Sequence, residues 1–354
     1  MLKVVHVVPK DVIGGVETAA RTAASAVAPP DCFFTLLFIA GDVRSPRPVN
    51  AVPGPRWSLV NPFSHALALW RLFKLSPDVL ICSIWWTVPL GITFKLFRRK
   101  TVVISFLHNE SFVHRVDRFF TKAMNAIADE VWADSRATLD AILGKNSDKA
   151  CRVISFLTAR LQPASGQLRA PVHFVFWGRL APQKAIDRAI AFFAKIRARY
   201  DDASFTIIGP DGGEKAKLVA LVEQLAVADA VRFAGPAGHD ELPEKAEGCA
   251  FFLQLSRHEG MAMSVIEAMQ LGLVPIVTPV GEIPSYCKDG WNSLLMRDDE
   301  ALGRVFRLID EPALYNEIRR NALSTWTGQP LYTDEIFQSA REAFRRNSTC
   351  RPNT

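Results

Sequence analysis

KVVHVVPKDVIGGVETAARTAASAV, residues 3–27, decides how the rest of the chain is read. Its first six residues form a β-branched run that Pro9 ends. Gly14 and Gly15 then lead into an amphipathic segment, Val16–Val27. Strand, glycine turn and helix in that order open a βαβ unit. Similar apolar runs recur at Phe33–Ile39, Val79–Cys82, Thr101–Phe106 and Glu130–Ala133, with helix-length stretches between them. Ser135 suits the N-cap of a helix over Arg136–Leu143. The runs are continuously apolar rather than alternating, which predicts a parallel sheet covered on both faces.

The pattern restarts after residues 157–171 (LTARLQPASGQLRAP), whose prolines and glycine predict a linker. His173–Trp177, Ser204–Ile208, Val231–Phe233, Ala250–Leu255 and Pro275–Val277 read as strands. Lys184–Arg199, Glu214–Ala226 and Ser264–Leu271 read as the helices between them. Two successive α/β units predict two doubly wound parallel-sheet domains facing a central cleft, over residues 1–160 and 171–330. A terminal helix over 331–346 is expected to pack back toward the N-terminal domain, with Asn347–Thr354 as a frayed tail. Ligands of such sheets bind beyond the carboxyl ends of the strands, so the strand-to-helix loops should hold the chemistry.

The chain of 354 residues is 49% hydrophobic and 22% charged, which excludes a disordered, collagenous or disulfide-stapled class. Residues 1–170 hold 21 basic and 12 acidic side chains, a balance of +9, and residues 171–354 hold 21 and 24, a balance of −3. A basic half suits nucleic acid, an acidic small substrate or an anionic membrane surface. No zinc-finger spacing, basic heptad region or aromatic RNA-binding signature occurs, so nucleic acid is not an expected partner. The longest uncharged run, Val79 to Phe94, is 16 residues. A membrane span needs about 20. MLKVVHVVPKD does not read as a signal peptide. The six cysteines form no C-x-x-C pair, and Cys82, Cys151 and Cys249 in strand-like contexts are expected to be reduced core thiols. A cytoplasmic location follows as the expectation.

Four loops carry candidate chemistry. DVIGGVE at 11–17 offers close backbone approach at Gly14 and Gly15 and a helix N-terminus that favours anions, although a tight turn alone would look the same. It is not G-x-G-x-x-G, so a nicotinamide cofactor is not indicated. WGRLAPQKAID at 177–187 brings Gly178, Arg179 and Lys184 to one strand end, where two cations suit a phosphate or stand solvated. RHEGMAMSVIEAMQLGLVPIV at 257–277 holds Glu259 and Glu267. Eight residues of continuous helix rotate by about 800°, so these two carboxylates converge only if Glu259 precedes the helix. Glu267, between Ile266 and Ala268, would be partly buried and would need donors such as ribose hydroxyls. FLHNE at 106–110 puts His108 at a further strand end.

In combination these pieces resemble glycosyltransferase family 4, retaining transferases of the GT-B architecture with two Rossmann-like domains. The matching features are the GGVE loop, His108, GRLAPQKAID, the E-x7-E pair Glu259/Glu267 running into EAMQLG, and TPVGEIPSYCKDGWNSLL at 278–295. The resemblance covers essentially the whole chain. It implies a retaining hexosyltransferase working in surface polysaccharide or glycolipid assembly, with a nucleotide-sugar donor as co-substrate and a saccharide or lipid-linked saccharide as acceptor. Arg179 and Lys184 would hold the diphosphate, Glu267 the ribose and Glu259 the sugar hydroxyls. Gly178, Gly260, Met261 and Ala262 would line the donor site, and Gly14 and Gly15 would close on the phosphates and sugar. His108 would approach the transferred sugar.

No Asp-x-Asp occurs, so no metal is expected and the cations would stand in for one. The sequence departs from the family pattern at Ala185, Ala262, Glu282, Ser285 and Ser293, which leaves the donor sugar open. A nucleotide-sugar epimerase of the same architecture and a non-catalytic GT-B scaffold are the competing readings. A hinge-type sugar-binding protein is disfavoured by the lack of an export signal.

Acceptor choice belongs to the N-terminal half. LALWRLFKL at 67–75, IWWTVPLGITFKLFRRK at 84–100, and the stretch with Arg115, Arg118, Phe119, Phe120 and Lys122 join aromatic and basic residues. They suit either docking of a peripheral enzyme on an anionic leaflet or, with Trp85 and Trp86 in the core, a merely solvated basic rim.

Overall fold

The computed structural model describes residues 1–12, 14–145, 147–163, 172–297 and 301–349. Two compact units divide the chain, Met1–Thr158 with Pro330–Thr354, and Ala159–Gln329.

The first unit is built on a seven-stranded parallel sheet. Its strands are β1 (Leu2–Val8), β2 (Cys32–Phe38), β3 (Ala51–Val52), β4 (Val79–Ser83), β5 (Val102–Leu107), β6 (Glu130–Ala133) and β7 (Cys151–Val153). Their order across the sheet is β3-β2-β1-β4-β5-β6-β7. Every residue of β4, β5 and β6 is buried, which is why these runs do not alternate. Val5, Val7, Leu37, Leu80 and Val103 from the sheet pack with Leu72, Phe94 and Met124 from the helices Pro62–Leu75, Val88–Phe97 and Arg115–Ile127. The predicted cap is made, with Ser135 Oγ accepting from Thr138 N–H at 3.0 Å. The two-residue β3 and the three-residue β7 are too short for a hydrophobic pattern to announce them.

The closing helix runs from Tyr332 to Thr349, past the expected stop at residue 346, and residues 350–354 lie outside the described ones. It belongs to the first unit. Tyr332 and Ile336 are fully buried, Phe337 meets Phe34 edge-on with ring centroids 5.5 Å apart, and Tyr332 meets Phe156 at 5.3 Å.

The second unit holds a six-stranded parallel sheet, β8 (His173–Trp177), β9 (Ser204–Ile208), β10 (Val231–Gly235), β11 (Phe251–Gln254), β12 (Val274–Val277) and β13 (Leu294–Leu295). Their order is β10-β9-β8-β11-β12-β13. Both sheets are therefore doubly wound. The winding reverses between β1 and β4 in one and between β8 and β11 in the other, and the crevice of such a sheet opens at that reversal.

Three expectations are corrected. The linker begins later than residue 157, because Leu157 is buried in the first unit and the boundary falls after Thr158; residues 164–171 lie outside the described ones. Cys151 is in a strand but exposed, because β7 is the sheet's edge and carries no cover there. Lys184 does not open a helix. It ends a short 3-10 turn, Pro182–Lys184, and the helix starts at Ile186.

Candidate active site

In the second unit the loops after β8 and β11 flank the reversal point, and a polar cluster is built there. Lys184 Nζ lies 2.8 Å from Glu259 Oε1 and 3.0 Å from Oε2. Gln254, the last residue of β11, donates from Nε2 to Glu259 Oε1 at 3.0 Å, and Ser264 Oγ donates to Gln254 Oε1 at 2.7 Å. The lysine and glutamate side chains are only 16% and 5% exposed, so each neutralises a largely desolvated partner. Arg179 stands exposed on the same loop as Lys184.

Glu267 is buried, as its apolar neighbours predict. The helix begins at Met263, so Glu259 precedes it and the geometric condition for convergence is met. Glu267 takes its donors from the protein: Trp177 Nε1 donates to Oε2 at 2.7 Å, and His239 Nδ1 lies 3.2 Å from Oε1. The hydrogen bond to Glu267 lifts the His239 imidazole above its ordinary value, against the opposing effect of burial.

Ala185 and Ala262, two of the departures from the family pattern, both adopt left-handed backbone, with φ of 47° and 52°. That region is where glycine is the unstrained choice. Ala262 ends the loop that carries Gly260 and Met261. Tyr286 Oη donates to the Met261 carbonyl at 2.8 Å, and Glu282 N–H donates to the Gly260 carbonyl at 3.1 Å. The GEIPSY segment is thus strapped to the Glu259 loop. At Gly281 a Cβ would stand 2.2 Å from the Glu259 carbonyl oxygen.

In the first unit His108 follows β5. Its Nε2 lies 2.9 Å from Ser83 Oγ, at the end of β4, and the same Oγ lies 2.7 Å from Nε2 of His6 in β1. Asp134 Oδ2, just after β6, is 3.7 Å from His108 Nδ1. Burial, reinforced by His108, drives the His6 imidazole down to about 3. Gly14 caps the helix Gly15–Ser25 with extended backbone, φ −162°, which any residue could adopt. A Cβ on residue 14 would stand 2.5 Å from Glu17 Oε2, the far end of a side chain that would have to turn aside. Burial raises the Glu17 carboxyl above the usual range, opposed by its own backbone N–H, His108 and Arg44. Asp11, with a fully buried side chain, ties this loop to the helix Gly15–Ser25 through an ion pair with Arg21 and to the chain after β2 through one with Arg44.

The structure thus joins Lys184 to Glu259 and sets Glu267 with Trp177 and His239. Sequence reasoning did not find Gln254, Ser264, Trp177, His239, His6, Ser83 or Asp134. A polar residue at the carboxyl end of an apolar run is the signal for Gln254, Ser83 and Asp134. Nothing in VVHVV distinguishes His6 from a core substitution.

Trp85 and Trp86 are half-buried and stacked at 4.1 Å, at the carboxyl end of β4 after Ile84, whose φ is 67°. The ten-residue helix Val88–Phe97 separates them from Arg98, Arg99 and Lys100 by about 15 Å. The basic-aromatic stretch at 84–100 is therefore divided between two ends of the sheet. Exposed Val60, Phe63, Val113, Val116 and Phe119 lie at or near the N-termini of the helices Pro62–Leu75 and Arg115–Ile127, as do Arg115 and Arg118.

Two doubly wound units of this kind are the GT-B fold. Residues 163–325 match the family described as Glycosyl transferases group 1. HepE from Anabaena, solved in complex with UDP-glucose, superposes with a TM-score of 0.80 over 98% of this chain and 100% of its own, at 16% identity. Sucrose-phosphate synthase from Thermosynechococcus elongatus superposes equally, at 0.80, over 99% of this chain and 100% of its own, at 15% identity. In sequence, D-inositol 3-phosphate glycosyltransferase of Streptomyces avermitilis is 29% identical over 212 residues, 53% of this chain. The chain spans 46% of the length of that relative. Alpha-D-kanosaminyltransferase of Streptomyces kanamyceticus is 25% identical over 151 residues, 42% of this chain and 39% of its own.

Proposed function

We propose that the protein is a glycosyltransferase that moves a hexose from a nucleotide-sugar to a saccharide acceptor, with retention of configuration. The observation that carries this reading is the Lys184–Glu259–Gln254 cluster at the reversal point of the second sheet. An entering diphosphate would draw Lys184 away from Glu259 and, with Arg179, neutralise the charge that develops as the anomeric bond breaks. Glu259, still oriented by Gln254, would then accept from the sugar hydroxyls. The ribose would replace His239 at Glu267 Oε1. Gly178, Gly260, Met261 and Ala262 supply the backbone around the donor, and Gly14 and Gly15 the helix N-terminus of the first unit. His108 serves the transferred sugar. The cations do the work a metal would otherwise do, so transfer is expected to survive chelators.

The acceptor is lipid-linked in this reading, and the enzyme docks from the cytoplasm onto an anionic inner leaflet through Phe63, Val116, Phe119, Arg115 and Arg118. Exposed apolar side chains beside cations support it.

The test is thermal denaturation against UDP-, GDP- and ADP-sugars. The accepted donor should stabilise by about 2.7 kcal/mol at a hundred times its Kd. Lys184→Ala and Glu259→Ala together should abolish both stabilisation and transfer. Transfer that persists in the double variant would remove the assignment. Product analysis with and without acceptor separates transfer from epimerisation.

A further inference from the structure

Two buried imidazoles share one serine hydroxyl. Ser83 Oγ lies 2.7 Å from His6 Nε2 and 2.9 Å from His108 Nε2, and a hydroxyl has a single proton to donate. Both rings cannot accept from it, and if both donated to it the hydroxyl proton would have no partner, so one ring donates to Ser83 and the other accepts from it. The unpartnered nitrogens decide which. Nδ1 of His6 and Nδ1 of His108 are both buried with no hydrogen-bond partner, but only the His108 nitrogen faces a carboxylate, Asp134 Oδ2 at 3.7 Å, so the proton is held better there than on His6. His6 therefore carries its proton on Nε2 and donates to Ser83. Ser83 then donates to His108 Nε2, and the His108 proton is left on Nδ1, which faces Asp134 Oδ2 across 3.7 Å. The opposite arrangement strands the His6 proton and turns a bare His108 Nδ1 toward a carboxylate, so it is disfavoured at both ends.

We propose that His6 is a positioning residue that acts through Ser83 to fix the proton of His108 on Nδ1. Residues in β1 and β4 and directly after β5 and β6 form one chain, His6–Ser83–His108–Asp134, at the end of the sheet. Asp134 is held in turn by Thr138 Oγ1, which donates to Oδ1 at 3.2 Å. The ionisable groups facing His108 are His6, Asp134 and Glu17. Phe106 and Phe156 pack against the ring, with centroids 4.4 Å and 5.6 Å away. Neutral His6 keeps the direction of the chain, because it brings no second positive charge to the serine. With Nε2 accepting from Ser83 and the proton on a buried Nδ1 that faces Asp134, His108 has no free lone pair with which to remove a proton from the sugar, so it would not act as a general base. The functional part of this inference rests on the transferase reading; the proton positions do not.

Two measurements on the full chain test it. Nitrogen-15 NMR of histidine-labelled protein should find His108 protonated at Nδ1 and His6 at Nε2 near neutral pH. A proton on the opposite nitrogen of either ring overturns the proposal. In kinetics, His6→Leu should lower kcat about tenfold with the donor KM unchanged, the loss typical of removing a partner that orients a functional imidazole. His6→Gln, which retains a donor at the same reach, should recover most of it, and His6→Leu should have no further effect in a Ser83→Ala background. Full additivity of the two substitutions, or no rescue by glutamine, counts against His6. If no nucleotide-sugar stabilises the protein, the transferase reading fails separately and the proton positions still decide the relay.

Discussion

Glu17 holds a carboxylate in a place that disfavours charge. Its acid group is raised by burial, so between the unfolded value, near 4.5, and the higher folded value the native state binds more protons than the unfolded one. Stability falls as pH rises through that window. Glu17→Gln should therefore raise the midpoint of urea unfolding at pH 8 and leave it nearly unchanged at pH 4. His6 behaves oppositely. Its ordinary value of 6.5 falls to about 3 in the fold, so the unfolded chain binds the extra proton between those limits. The stability of neutral His6 is complete above about pH 6.5 and is lost as pH falls toward 3. Urea melts at pH 7 and pH 4.5 should differ less in His6→Gln than in the native protein. Residues at strand ends were the legible ones: Lys184, Glu259 and Glu267 follow from loop position and the E-x7-E spacing. His6 was not, because a histidine inside an apolar run carries no sign that a serine 77 residues further along will meet it.

At the scale of elements, the loops of the second unit are tuned by backbone angle. Ala185 and Ala262 sit at φ of 47° and 52°, where a Cβ is strained. Ala185→Gly and Ala262→Gly should each stabilise by about 1 kcal/mol, read as a shifted urea midpoint at constant m. Gly281 is the reverse case. Its φ is 56° and a side chain there would drive into the Glu259 carbonyl, so Gly281→Ala should cost about 3 kcal/mol and weaken donor binding with it. The sequence marked 185 and 262 as departures from a family pattern, but only the dihedral angles say why glycine is favoured there. Strands of four or more residues were readable from their apolar runs. The short strands β3, β7 and β13 were not, since two or three residues have no period.

For the whole molecule, the charge division of the sequence does not describe one surface. Helix Val88–Phe97 carries Arg98–Lys100 away from the strand ends where Trp85 and Trp86 stand. Vesicles rich in phosphatidylglycerol should therefore retain the protein through Phe63, Val116 and Phe119. Replacing these three by serine should release it into the supernatant at low salt, while Arg98→Ala with Arg99→Ala should not. Among the described residues no helix is long and apolar enough to cross a membrane.

The chain leaves the first unit at Thr158 and re-enters it at Pro330. A ribosome working from the amino end completes Ala159–Gln329 before the closing helix Tyr332–Thr349 exists. The earlier-made unit is therefore the later to mature, with the helix Gly15–Ser25 and Phe34 waiting for their cover during synthesis. A stop codon after Gln329 should yield a chain that folds only in its second half. The fragment Ala159–Gln329, expressed by itself, should unfold cooperatively.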